Sequence, residues 1–359
     1  MKLNKQLSLL LCGALMVSAL AGCGGGKDSS SASGSASDSQ SGSVSSGASS
    51  SDSYVLPNVM VLSGPTGVGA AKLMADNEAV TPEAVANGEA SPVINTATVE
   101  ADNQAVSSAL INGDVDIAAV ATNVAASLSA KSEGAVQVLA VNTLGVLYIL
   151  EKGNSVQSMA DLEGRTVYAT CQGANPEFVL NYLLTENGVD PANVHIQWMT
   201  AQEVTAQMAS SDSAICMLPV PAATALMMKD QGVRQALSLS DEWDKLGQGS
   251  LAMGCVVGRT QFIEEHPETV DAFLDLYGDS ITFMSDEHGV AGAAALVGEL
   301  GITANEQIAQ KAIPQCNLTF LTGADMKATL EEYYQVLFQA NPDSIGGSMP
   351  YDAFYYGAE

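Results

Sequence analysis

Arginine is almost missing from this chain: Arg165, Arg234 and Arg259 are the only three in 359 residues. Histidine is as scarce, with His195, His266 and His288. So few guanidinium groups leave little means of gripping an anion bidentately. Three scattered imidazoles and no Cys-x-x-Cys pair argue against a zinc site, and no cofactor motif takes their place. Basic residues number 13 against 40 acidic ones, a formal net charge of −27. A chain this acidic repels nucleic acid and anionic lipid, which argues against both as partners, and solubility explains the charge better than an acidic site does. Aromatic residues are 5% of the chain and sparse before its C-terminal third, which weakens any site built on stacking. After residue 54 no apolar run is long and uncharged enough to span a bilayer.

What is present begins at the N-terminus with MKLNKQLSLLLCGALMVSALAGC: Lys2 and Lys5, an apolar run from Leu7 to Leu20, then small residues before Cys23. This reads as an export signal over residues 1–22, because its core is too short for a membrane span and its flank suits cleavage. Leu20-Ala21-Gly22-Cys23 resembles a bacterial lipobox, which implies cleavage before Cys23 and lipidation of its sulfur. Removing the leader takes two lysines and no acids, leaving 11 basic residues against 40 acidic ones, net −29. Residues 23–53, rich in Ser and Gly, bury too little to fold and read as a tether with a reach of about 30 Å. The expected location is outside the cytoplasm, with the membrane held through the lipid.

The stretch 62-LSGPTGVGAAKLM-74 has the look of a phosphate cradle and fails both tests for one. Lys72 is followed by Leu73 rather than Ser or Thr, so it is no Walker loop, and Gly64, Gly67 and Gly69 run in the wrong order for a dinucleotide fingerprint. What remains is a strand, a turn and a helix start, which offers unpaired N–H groups and the positive end of a dipole. A bare turn without ligand accounts for the stretch equally well.

Downstream, short apolar runs alternate with helical patterns. Strands are expected at 58–62, 93–99, 115–121, 136–142, 146–151, 166–170, 195–199, 214–218, 236–239 and 251–257. The alternation predicts an α/β architecture with mainly parallel pairing in two lobes. From Gln261 onward the strands stop and the pattern turns helical. Strand-to-helix turns recur at Val120-Ala121-Thr122-Asn123, with Thr122 or Asn123 as cap, at Cys171-Gln172-Gly173-Ala174-Asn175-Pro176, and at Pro219 to Pro221. Strand C-terminal ends are where open α/β sheets bind ligands. Cys171, Cys216, Cys255 and Cys316 all sit in or beside apolar runs; two disulfides and four buried thiols both remain open, and the surroundings favour buried thiols.

Three stretches, 63-SGPTGVGAAKLM-74, 110-LINGDVDIAAVATN-123 and 157-QSMADLEGRTVYATCQGANPEFVLNYLL-184, resemble the type 2 periplasmic-binding-protein family. The resemblance is to the substrate-binding lipoproteins of ABC importers in the nitrate/sulfonate/taurine and thiamine-precursor group. Asp161-Leu162-Glu163-Gly164-Arg165-Thr166-Val167 matches the D-L-x-G-[KR]-x-[VI] stretch that opens the second lobe in that family. The resemblance implies two lobes, 54–145 plus 245–359 and 146–244, a ligand cleft between them and a helical C-terminal part. Two strands would cross near Asn142–Tyr148 and Ser238–Gly249. It further implies capture of a small anionic or polar solute by lobe closure, delivery to a membrane permease, and a monomer. The ligand would be held by Gly64, Pro65, Thr66 and Gly67, with Thr122, Asn123, Thr143, Gln172, Gly173, Asn175 and Pro219 around it. For each of these the alternative is a structural cap or turn. Tyr148 and Trp198 could stack on a planar ligand, although Trp198 alternates with apolar neighbours and reads as core. An enzyme on the same fold, like the pyrimidine-synthase relatives, would need a reactive cluster; Cys171 at a helix start is its best candidate. A surface sensor without a permease is the third reading.

Overall fold

The computed structural model describes residues 55–358; the expected leader, Cys23 and the 23–53 tether lie outside the described residues. Two sheets are built in an interrupted order. β1 (Asn58–Leu62), β2 (Thr96–Glu100), β3 (Ile117–Ala121) and β4 (Val136–Thr143) belong to the first. The chain then supplies the second with β5 (Leu147–Lys152), β6 (Thr166–Ala169), β7 (His195–Trp198), β8 (Ala214–Pro219) and β9 (Val233–Ser238). It returns to the first with β10 (Gly254–Arg259) and β11 (Leu318–Leu321), giving the orders β11-β4-β10-β3-β1-β2 and β7-β6-β8-β5-β9. β3 reads Ile-Ala-Ala-Val-Ala and is buried at every position, as a strand covered on both faces must be.

Helices fill the connections: α1 (Pro65–Val68), α2 (Ala71–Glu78), α3 (Pro82–Ala86), α4 (Asn103–Asn112) and α5 (Thr122–Lys131) around the first sheet's early strands. α6 (Asn175–Glu186), α7 (Ala201–Ser210), α8 (Ala222–Lys229) and α9 (Leu239–Asp244) follow strands of the second. α10 (Thr260–Glu265), α11 (Pro267–Ser285), α12 (Val290–Glu299), α13 (Glu306–Ala312) and α14 (Gly323–Ala340) make the helical C-terminal part. α11 starts on Pro267, whose missing N–H costs nothing at a helix start. It buries Val270, Phe273, Leu274, Tyr277 and Ile281, a three-four spacing that lays one stripe on the first sheet's core. A second seam joins the halves: Trp243 of α9 lies 5.3 Å from Tyr182 of α6 and 5.6 Å from Tyr333 of α14, ring centre to ring centre. In the second sheet, buried Glu151 pairs across the ladder with Arg234 at 2.6 Å.

The α/β class and the helical C-terminal part are as expected; several details are not. Pairing is mixed rather than mainly parallel. β1 runs parallel to β2 and β3, and β6 to β7 and β8, while β10 is antiparallel to β3 and β4, β11 to β4, and β5 to β8 and β9. Apolar periodicity carries no strand direction, and a chain re-entering a sheet from its other end must pair antiparallel. Strands do not stop at Gln261, since β11 pairs at the edge; with four residues, all half-buried, it shows no readable alternation. β9 ends at Ser238 and no strand continues to Gly249; α9 forms there instead, with Ser238 accepting from the Asp241 N–H. All four cysteines in the described residues are free thiols, and Cys171 is exposed rather than buried.

Candidate functional site

Strands of both sheets end at one cavity of about 1160 Å³. Its walls are the turns after β1, β2, β6, β7 and β8, one side of α5 from Asn123 to Lys131, the α12–α13 connection, and Asp343-Ser344 beyond α14. Two of the helix starts here are closed by their own side chains: Asp102 accepts from Gln104 N–H before α4, and Thr200 with Glu203 forms a capping box before α7. The starts of α5, α6 and α8 have no side-chain cap, so their dipoles and first N–H groups are left to other partners.

Of the residues expected to touch ligand, Gly64, Pro65, Asn123, Gln172, Gly173 and Pro219 line this cavity. Gly64 holds φ +96° at the α1 start, a conformation that glycine adopts without strain. Thr66, Gly67, Thr122, Thr143 and Asn175 are not in its lining. The Thr66 carbonyl accepts from Asn142 Nδ2 at 2.9 Å, and Thr143 Oγ1 donates to Asn142 Oδ1 at 3.0 Å behind the loop. Gly67 is buried where a Cβ would stand 2.1 Å from the Leu62 carbonyl oxygen; it is glycine for close packing, so an aspartate there would not be tolerated. Thr122 Oγ1 donates to the Ala252 carbonyl at 2.7 Å and accepts from Asn175 Nδ2 at 2.8 Å. Asn175 also donates to the Met253 carbonyl at 2.8 Å and accepts from Tyr333 Oη at 2.9 Å. Their polar capacity is committed to holding the halves together.

The cavity wall carries three buried polar atoms without a protein partner: Asn123 Oδ1, Thr170 Oγ1 and Thr303 Oγ1. Buried polar groups are rarely left so. Thr170 and Thr303 were not among the expected residues. Thr170 was placed inside a strand; β6 ends one residue earlier, which puts it at a strand's C-terminal end. Thr303, between α12 and α13, has no sequence signal.

Residues 93–288 match the family model described as NMT1/THI5 like. The chain belongs to that family. No curated protein matches it in sequence. Solved structures share the fold at low identity. An ABC transporter protein from Parabacteroides distasonis superimposes with TM-score 0.66 and 21% identity, over 84% of this chain and 98% of that one. The periplasmic aliphatic sulphonate binding protein of Escherichia coli gives 0.64 and 14%, over 81% and 94%. A ligand binding component of an ABC-type import system from Staphylococcus aureus gives 0.62 and 12%, over 84% and 96%.

In this NMT1/THI5-like chain the cavity's charged side chains are Asp102, Lys131 and Asp343, all exposed. None of the three arginines lines it: Arg234 is bound to Glu151, Arg259 pairs with Asp116 at 3.2 Å, and Arg165 lies outside. Phe178 is the aromatic residue of the lining. Tyr148 packs instead on the helical cluster around Val68 and Cys316, and Trp198 on the main core. Cys171 lines the cavity with a left-handed backbone, φ +64°. The residue is exposed as a whole, yet desolvation raises its thiol above the ordinary range, opposite to the lowering a nucleophile needs. It precedes α6 by four residues, beyond the reach of that helix's dipole.

Proposed function

We propose that this protein is the extracytoplasmic solute-binding component of an ABC importer, anchored through a lipid on Cys23. It captures a small polar organic solute between lobes 54–145 plus 245–359 and 146–244, and hands it to a membrane permease as a monomer. The observation that carries this reading is the set of unpartnered buried groups, Asn123 Oδ1, Thr170 Oγ1 and Thr303 Oγ1, in a cavity fed by the turns of both sheets. A solute that satisfies groups from both sheets binds the closed arrangement better than an open one, and only that difference drives closure. Gly64, Pro65, Gln172, Gly173 and Pro219 supply the remaining wall. Similarity in fold to proteins described as importer components supports the role.

The test has two stages. Full-length protein is screened by thermal shift against small polar solutes, since a ligand of the folded state raises its stability by mass action. A labelled binder is then offered to host cells with and without the gene. Uptake lost on deletion is the expected result; binding with undiminished uptake would make the protein a sensor instead. Cys23→Ser should release the protein from the membrane while leaving binding intact.

A further inference from the structure

The orientation of one amide bears on what the cavity takes. Asn123 is buried, and its Nδ2 group faces two carbonyl oxygens, Ser344 O at 3.2 Å and Gly173 O at 3.4 Å. Carbonyls only accept, so the NH₂ end of this side chain is fixed on their side, and Oδ1 is the end without a partner. An amide oxygen is an acceptor alone. Whatever meets it must offer an N–H or O–H, and an oxyanion placed there would confront lone pairs with lone pairs. The hydroxyls of Thr170 and Thr303 can turn to suit either kind of group, so Asn123 is the one whose demand is one-sided.

The surrounding charge agrees. The buried polar residues of the wall, Asn123, Thr170, Thr303 and Ser344, are all uncharged. At the exposed rim two carboxylates, Asp102 and Asp343, outnumber Lys131, and Asp343 immediately precedes the residue whose carbonyl holds Asn123. An anion would enter against this rim and against the chain's formal charge of −27, with no guanidinium to receive it. The uncapped start of α8, and that of α5 beyond the Thr122 N–H taken by the Met253 carbonyl, offer donors to a solute's neutral acceptors, such as carbonyl oxygens; α6 opens with Pro176 and a Glu177 N–H already on the Ala174 carbonyl.

We infer that the solute of this site carries no net negative charge and donates an N–H or O–H hydrogen to Asn123 Oδ1. The inference rests on the solute-capture reading above and narrows it. Matched probes separate the two. Melting of the full-length protein is followed with millimolar uracil against 1,3-dimethyluracil and glycine against glycine betaine, each pair losing its donors on methylation. Nitrate, sulfate and ethanesulfonate serve as donor-free anions. The expected result is a rise of several degrees with a donor-bearing probe, little or none with its methylated partner, and none with the anions. In Asn123→Ala that rise should disappear; if this variant does not fold, the methylation pairs on the natural chain still decide. A rise with any of the anions, or an equal rise with a methylated partner, overturns the donor inference and leaves solute capture standing. No rise with any probe counts against both.

Discussion

Thr122 and Asn123 are consecutive residues at the start of α5, both buried and both polar. Thr122 is saturated, donating to Ala252 and accepting from Asn175. Asn123 is half-saturated, with Nδ2 engaged and Oδ1 free of protein partners. The same division runs through the neighbourhood. On the sealed side, Asn175, Thr122 and Tyr333 satisfy one another beneath the Tyr182–Trp243–Tyr333 stack. On the cavity side, Thr170 and Thr303 keep hydroxyls unused. Burial alone does not separate structural from binding residues here, and neither does leftover capacity alone, since Ser129, Thr224 and Tyr355 keep unpartnered hydroxyls away from the cavity; leftover capacity on the cavity wall does. Saturated groups should therefore respond to mutation in stability, and unsaturated ones in binding.

The largest effect is expected on the sealed side. Asn175→Ala strips partners from the Thr122 hydroxyl, the Met253 carbonyl and the Tyr333 hydroxyl together, and should cost about 3–5 kcal/mol in urea unfolding without ligand. A loss under about 1 kcal/mol would mean the seam is incidental. Glu151 extends the comparison to a saturated charge. Desolvation acts to raise its carboxyl, but hydrogen bonds from Ser155, Val156 and Arg234 outweigh it and hold the group below the ordinary carboxylate value of 4.5. A depressed carboxylate contributes stability above its unfolded value, and that contribution disappears as pH falls through the folded one. Glu151→Gln should thus cost about 1.5–3 kcal/mol near neutral pH, with the gap to the natural protein closing as pH drops below 4.5. A gap that stays constant into acid would mean the charge is immaterial. Thr303→Val should be the gentlest for stability, within about 0.5 kcal/mol or slightly stabilising, because it removes an unpartnered hydroxyl at equal shape. Calorimetric affinity for a bound solute should nevertheless fall. Unchanged affinity with lowered stability would invert the comparison.

Local signals explain which parts were legible from sequence. α11 was readable from Pro267 to Ser285 because a helix-start proline precedes an uninterrupted three-four stripe. β3 was readable as an apolar run broken by Thr122. α9 was not, because Ala236-Leu237 reads as strand up to the residue where Ser238 caps the helix. The direction of β10 is set by where the chain re-enters, which no local pattern records. In the site, the turns were legible because Gly64 and Gly173 need positive φ. Which side chain faces ligand was not: the partner that saturates Thr122 lies 130 residues along the chain, and nothing near Thr303 marks it. Of the polar groups expected to touch ligand, Thr122 and Asn175 have their hydrogen bonds filled by such distant partners, and Thr143 gives its hydroxyl to the neighbouring Asn142.

The strand order has a consequence for how the molecule is made. All five strands of the second sheet follow one another in the chain, from β5 to β9, whereas β10 belongs between β3 and β4 and is synthesised long after both. The second sheet can close while the first still has a gap where its central strand will go. In that interval β3 and β4 present open backbone edges, each able to accept the wrong strand. The last strands to emerge, β10 and β11, are thus the ones that join the lone β4 to the β2-β1-β3 ladder, and a nascent chain cut short before them would be an aggregation hazard rather than a smaller working protein.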